Sequence, residues 1–223
     1  MEYRVISIGA LSHHELWPLS SDERTAHSTT VLVRSGDQVI LVDPGLPSEV
    51  IGARLDERAG VRPAAVTDVF LTTFRPAHRR GLGAFEHARW TISEMEREAV
   101  GHHLVERFKQ EQDGQTKQMI EQELALLKRC RVAPDRLAEQ VDLFPLPGFT
   151  PGTCGLLLTH LNSTTLVAGD SVATAEHLEQ GRVLRGAFDA TQGRESLAEA
   201  IEIADVIIPG HDNLLINPTR GRW

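Results

Sequence analysis

The residues best able to do chemistry sit in one loop and just past the ends of two apolar runs. The loop is Leu71-Thr72-Thr73-Phe74-Arg75-Pro76-Ala77-His78-Arg79-Arg80-Gly81, which closes an apolar stretch and ends in glycine. His78 brings an imidazole that can bind a metal or carry a proton, and Arg75, Arg79 and Arg80 bring permanent positive charge suited to an anion. Asp170 follows the apolar run 165–168 in a Gly-Asp turn, and His211 follows 206–208 in a Pro-Gly-His turn. The other histidines are weaker candidates. His13-His14 and His102-His103 are adjacent pairs whose side chains must diverge on a strand or helix, and His87, His160 and His177 are read as surface residues.

The elements that must position these groups are legible in outline. Residues 3–8 alternate, and 27–33 are rich in β-branched side chains, so both read as strands. Ser35-Gly36-Asp37 is a turn before residues 38–42, giving a hairpin whose second strand is apolar enough to be buried on both faces. Ser48 is read as the cap of a helix over 49–57 with Val50, Ile51 and Leu55 at helical spacing. Strands follow at 66–71 and 89–92. Ser93 with Glu96 three residues on forms a capping box, opening a helix that runs toward Glu111 and stops at Asp113-Gly114. A second amphipathic helix carries Met119, Ile120, Leu124 and Leu127 on one side. Further strands fall at 141–146, 156–158, 165–168 and 206–208, with a helix over 194–204 before the last. Two runs of strands, each followed by helices, imply two packed sheets with helices outside, in a single domain over residues 1–223.

Composition narrows the class. The chain has 223 residues, 41% hydrophobic and 24% charged, which is ample for a buried core. Its formal net charge of −8 argues against a general nucleic-acid grip, which needs a basic face. No stretch approaches the roughly 20 apolar residues of a membrane span, and the N-terminus lacks the pattern of a signal peptide, so a cytoplasmic location is expected. Cys130 and Cys154 have no C-x-x-C partner and read as free thiols, small hydrophobes in a reducing compartment. The charged helix pair reads as solvated and could also serve as a homodimer contact.

Four segments in order resemble the metallo-β-lactamase family: Val42-Asp43-Pro44-Gly45, the loop from Thr72 to Gly81, Leu146-Pro147-Gly148-Phe149-Thr150-Pro151-Gly152, and Ala168-Gly169-Asp170 followed by Pro209-Gly210-His211. The resemblance implies a four-layer αββα sandwich, here with a helical insertion around 93–130, and an active site at one edge between the sheets. Two zinc ions are usual in that family. The positions that hold the first are occupied here by Thr73, Arg75 and Phe149, none of which suits zinc. Of the second ion's ligands, the loop aspartate is replaced by Ala77, but His78, Asp170 and His211 all match. By the same resemblance, Asp43 supports the loop through hydrogen bonds and His27 borders the pocket; Asp212, by its place beside His211, is read as a support for that ligand.

Two readings follow. One is hydrolysis at a single-metal remnant holding zinc, manganese or iron through His78, Asp170 and His211, with Asp170 and Arg75 as the catalytic pair on a small, anionic ester, thioester, lactam or phosphoester. The other is a pseudoenzyme with no metal that binds a small anionic ligand through Arg75 and Phe149, or an interaction subunit that uses the helical insertion.

Overall fold

The period-two alternation of the strands settles how the layers stack. The computed structural model describes residues 1–16, 24–217 and Thr219. The first sheet has the order β1 (Glu2–Ser7), β2 (Thr30–Ser35), β3 (Gln38–Val42), β4 (Asp68–Leu71), β5 (Arg89–Ile92) and β6 (Arg131–Val132). In the second, β7 (Arg136–Ala138), β8 (Val141–Pro145), β9 (Cys154–Thr159), β10 (Thr164–Gly169), β11 (Val206–Pro209) and β12 (Leu215–Ile216) are likewise neighbours in sequence order. Val31, Val33, Ile40, Val42 and Phe70 of the first sheet pack against Val141, Leu156, Leu158, Val167 and Ile208 of the second, forming the inter-sheet core. Residues one step out of phase face the other way. Leu32, Leu41, Val69 and Leu71 meet the helices α1 (Ser48–Ala59), α3 (Glu94–Gln110) and α4 (Gly114–Arg129). Leu166, Ala168 and Ile207 meet α6 (Ala190–Ile203) through Leu197 and Ala200. The layers are therefore helix, sheet, sheet, helix, as expected.

The two short helices lie beside the strand ends. They are α2 (Pro76–Arg79), inside the loop that closes β4, and α5 (Ala175–Glu179), which follows Asp170. Strands β3 and β4 run parallel, as do β10 and β11, so each pair delivers its C-terminal ends to one edge of its sheet. Cys154 on β9 donates its backbone N–H to the carbonyl of Thr72 at 3.1 Å, which joins the two sheets at that edge. Gly169 sits at φ +56, and a Cβ there would lie 2.5 Å from Thr72 Oγ1, so the turn that leads to Asp170 requires glycine.

Several local expectations are corrected. The strand expected to open at His27 begins at Thr30. Ser48 does not cap α1; the N-cap is Pro47, and the Ser48 hydroxyl instead bonds the Gly81 carbonyl. Ser93 does cap α3 by accepting from the Glu96 N–H, but the Glu96 carboxylate turns away from the helix, so the box is only half formed. The first of the two helices ends at Gln110 with Glu111 as its C-cap, and Asp113, expected to break it, instead caps the next through the Thr116 N–H. On α4 the buried residues are Ile120 and Leu127, whereas Met119 is exposed, because the helix packs by a narrower stripe than its composition suggested. Among the described residues no helix is long and apolar enough to cross a membrane.

These differences translate into unequal costs. Phe70→Ala removes a fully buried ring between the sheets and should lower unfolding free energy by about 3–5 kcal/mol. Met119→Ala should change it by less than about 0.5 kcal/mol. Urea denaturation of both variants measures the contrast.

Candidate metal centre

Three loops meet around the carboxylate of Asp170, which is fully buried. His78, carried on α2, places Nε2 3.0 Å from Asp170 Oδ2. His211, past the end of β11, places Nε2 2.9 Å from Asp170 Oδ1. Arg75, the residue before α2, donates from its Nη1 to Oδ2 at 2.9 Å. Donor atoms of His78, Asp170 and His211 all lie within 4.8 Å of one another, and this is the one such group among the described residues.

Each imidazole is oriented from behind. Asp43 Oδ2 lies 2.9 Å from His78 Nδ1, and the same carboxylate accepts from the Thr72 N–H at 2.9 Å and the Thr72 hydroxyl at 2.6 Å. Asp43 holds this place with φ +50, a conformation in which its own carbonyl collects the hydroxyls of Ser28 and Thr30. His211 Nδ1 lies 3.0 Å from the carbonyl oxygen of His27. A neutral imidazole has one N–H; spent on these rear acceptors, it leaves both Nε2 lone pairs facing a carboxylate. That juxtaposition demands positive charge in between. His78 Nε2 in particular is within ion-pair reach of Asp170 but has no aligned hydrogen bond, so its front side is the unfilled one.

In the metal-free chain a proton supplies the charge. Burial alone would lower the pKa of His78, but the negative charges of Asp170 and Asp43 close to its ring override it and raise it from 6.5 to about 10. Burial would likewise raise Asp170, and the fields and bonds of His78 and His211 hold it well below the usual carboxylate range.

The remaining expected residues are placed as follows. The Arg75 guanidinium lies over the Phe149 ring, 4.7 Å from its centroid, so those two do share one side of the site. Thr73 is fully buried, and its hydroxyl has no hydrogen-bond partner. Ala77 accepts the Ser28 N–H with its carbonyl and brings no side-chain donor. The ring nitrogens of His27 lie near the carbonyls of Ile8 and Thr25, so His27 serves the centre through its backbone. Asp212 binds the N–H groups of Ala175 and Asn213, shaping the start of α5 and leaving the His211 ring to His27. Burial pushes the Cys154 thiol up to about 12, which keeps it protonated core. His177, expected at the surface, is fully buried, with its ring 5.5 Å from that of His14. One residue with a direct bearing on the site escaped the sequence: Glu96, whose capping signal drew attention away from its carboxylate.

Two buried histidines and a buried carboxylate converging at the edge between two sheets are a group able to hold a metal ion. The family profile described as the metallo-beta-lactamase superfamily matches residues 24–211, and the chain belongs to that superfamily. A structure described as a putative metallo-beta-lactamase from Thermotoga maritima aligns with a TM-score of 0.69 at 18% identity, covering 96% of this chain and 98% of that one. AidC, a dizinc quorum-quenching lactonase in complex with a product, aligns at 0.64 and 18% identity over 78% of this chain and 67% of its own. A variant of AiiA from B. thuringiensis, with N-decanoyl-L-homoserine bound at the active site, aligns at 0.64 and 19% identity over 94% and 92%. At these identities the likeness is one of fold. A sequence search of curated proteins finds no match.

The His78 geometry gives a pH signature. Its folded pKa stands above the unfolded value, so its stabilising contribution is complete below about pH 6.5 and is lost as pH rises through about 10. Chelator-treated protein should therefore melt at progressively lower temperature from neutral pH toward pH 10. His78→Gln should flatten that slope, as read by calorimetry at stepped pH.

Proposed function

We propose that this chain is a metallo-β-lactamase-type hydrolase that works with one divalent ion, held by His78, Asp170 and His211, within one domain spanning residues 1–223. The observation that carries this reading is the pair of Nε2 atoms aimed at one carboxylate while both Nδ1 atoms face rear acceptors. Two imidazoles and a carboxylate, oriented in this way, are a sufficient ligand set for zinc, manganese or iron. The neighbouring half of the family's site does not fit a metal: Thr73, Arg75 and Phe149 offer a hydroxyl, a cation and a phenyl ring. An ion held by the trio supplies Lewis acidity toward a carbonyl or phosphoryl oxygen.

The chain's own residues do the rest. Arg75, with its side chain 40% exposed, reaches solvent while bonded to Asp170, so its free donors can take a carboxylate, phosphate or developing oxyanion. Phe149 beneath it fixes the plane of the guanidinium. Asp43 and the His27 carbonyl keep the imidazoles in register. The substrate class this suits is a small ester, lactone, thioester or phosphoester with an anionic group near the scissile bond.

A second reading rests on a different observation, the ion pair between Arg75 and Asp170. There Arg75 and a protonated His78 neutralise Asp170 permanently, and the site binds an anion without catalysis.

Metal titration separates the two. Chelated protein should gain roughly 2.7 kcal/mol of stability at an ion concentration about 100 times Kd, more readily as pH rises and protons leave the imidazoles. The double variant His78→Ala/His211→Ala should show no shift. Absence of any shift with zinc, manganese or iron in the wild-type protein would favour the metal-free binder.

A further inference from the structure

Glu96 is fully buried in the first turn of α3, and its carboxylate is spent on two loops that do not otherwise belong to that helix. Oε1 accepts the backbone N–H of Phe74 at 2.9 Å, and Oε2 accepts the hydroxyl of Thr150 at 2.5 Å. Phe74 immediately precedes Arg75, and Thr150 immediately follows Phe149. The two oxygens of one carboxylate thus hold the two residues next to the stacked guanidinium and ring.

The surroundings reinforce that grip. The Thr150 hydroxyl lies 2.7 Å from that of Thr153, which also accepts the Thr150 N–H. Ser93 donates its hydroxyl to the Gly152 carbonyl at 2.6 Å. A Cβ on Gly152 would lie 1.9 Å from the Glu96 nitrogen, so α3 rests its first turn directly on the Phe149 loop. Burial raises the Glu96 pKa, and the nearby Asp170 adds to the rise, while the bonds to Thr150 and Phe74 oppose it. Leaving an acidic group in so unfavourable a place has a cost that a helix cap alone does not require, since Ser93 already supplies the cap.

We infer that Glu96 is a positioning residue, a two-sided clasp that sets the spacing between Arg75 and Phe149 and so presents the guanidinium, already oriented, to an anionic ligand. The functional half of this inference rests on the reading of Arg75 as the anion-binding group; the geometric half does not. A pre-set guanidinium loses less freedom on binding, which favours affinity.

The test uses the full chain labelled with nitrogen-15 and follows the side-chain Nε–H resonance of Arg75, assigned by its loss in Arg75→Lys. Phe149→Leu marks the unstacked position. Glu96→Ala should move the resonance to that position, and Thr150→Val, which removes one of the bonds to the carboxylate, should move it part of the way. Glu96→Gln should leave it in place, because the amide oxygen still accepts from Phe74 and its NH2 can donate to the Thr150 oxygen. A resonance unmoved in folded Glu96→Ala overturns the clasp, and if that variant does not fold, an unmoved resonance in Thr150→Val does so. In parallel, titration with inorganic phosphate should show affinity reduced about three- to tenfold in Glu96→Ala and restored in Glu96→Gln. If Arg75→Ala binds phosphate as well as the wild type, it is the role of Arg75 that fails, and the resonance still decides the clasp.

Discussion

A fully buried carboxylate cannot stand alone, and the site is organised by what Asp170 requires. Its two oxygens receive Arg75 and His78 from the loop that closes β4, and His211 from the loop past β11. An unpaired charge in that position would cost several kcal/mol. The loops that end β4, β10 and β11 are thereby held to one another as much by electrostatics as by packing. Asp43 extends the demand one layer back, because it orients one of the two imidazoles that face Asp170. A centre of this kind tolerates a change of cation more easily than a loss of cation. The same carboxylate accommodates a proton, a guanidinium or a divalent ion, provided positive charge remains.

On the proposed reading, that tolerance lets one half of a two-ion site be rebuilt while the other persists. Arg75 and Phe149 do not leave a vacancy; they form a stacked pair with its own geometry. The guanidinium puts a single, fixed positive charge beside Asp170 but offers no lone pair and no exchangeable coordination position. His78, Asp170 and His211 keep their places because strand ends and a glycine turn define them, independently of Thr73 and Ala77.

The fold and the centre of the site were largely legible in the sequence. Asp43, His78, Asp170 and His211 each follow an apolar strand, and strand ends converge in a sandwich of parallel pairs, so their proximity could be anticipated from position alone. The alternation of Val31, Leu32 and Val33, or Leu166, Val167 and Ala168, likewise announces two cores on opposite faces. What escaped was decided by contacts between distant segments. Glu96 carries a helix-start signal whose local meaning is correct, and nothing in the flanking residues announces Phe74 and Thr150 as partners of its carboxylate. His177 looks polar and therefore exposed, yet α5 turns it inward against His14. Met119 shares its helix with Ile120 but lies outside the contact stripe, which the packing partner defines.

The bond from the Cys154 N–H to the Thr72 carbonyl has a consequence for how the site is lost. Thr72 is at once the rung between the sheets and the residue whose N–H and hydroxyl hold Asp43. Peeling one sheet from the other therefore pulls the support from behind His78 in the same movement. The centre is therefore expected to open with the sandwich and not as a separately melting unit, which places its amides among the slower-exchanging ones.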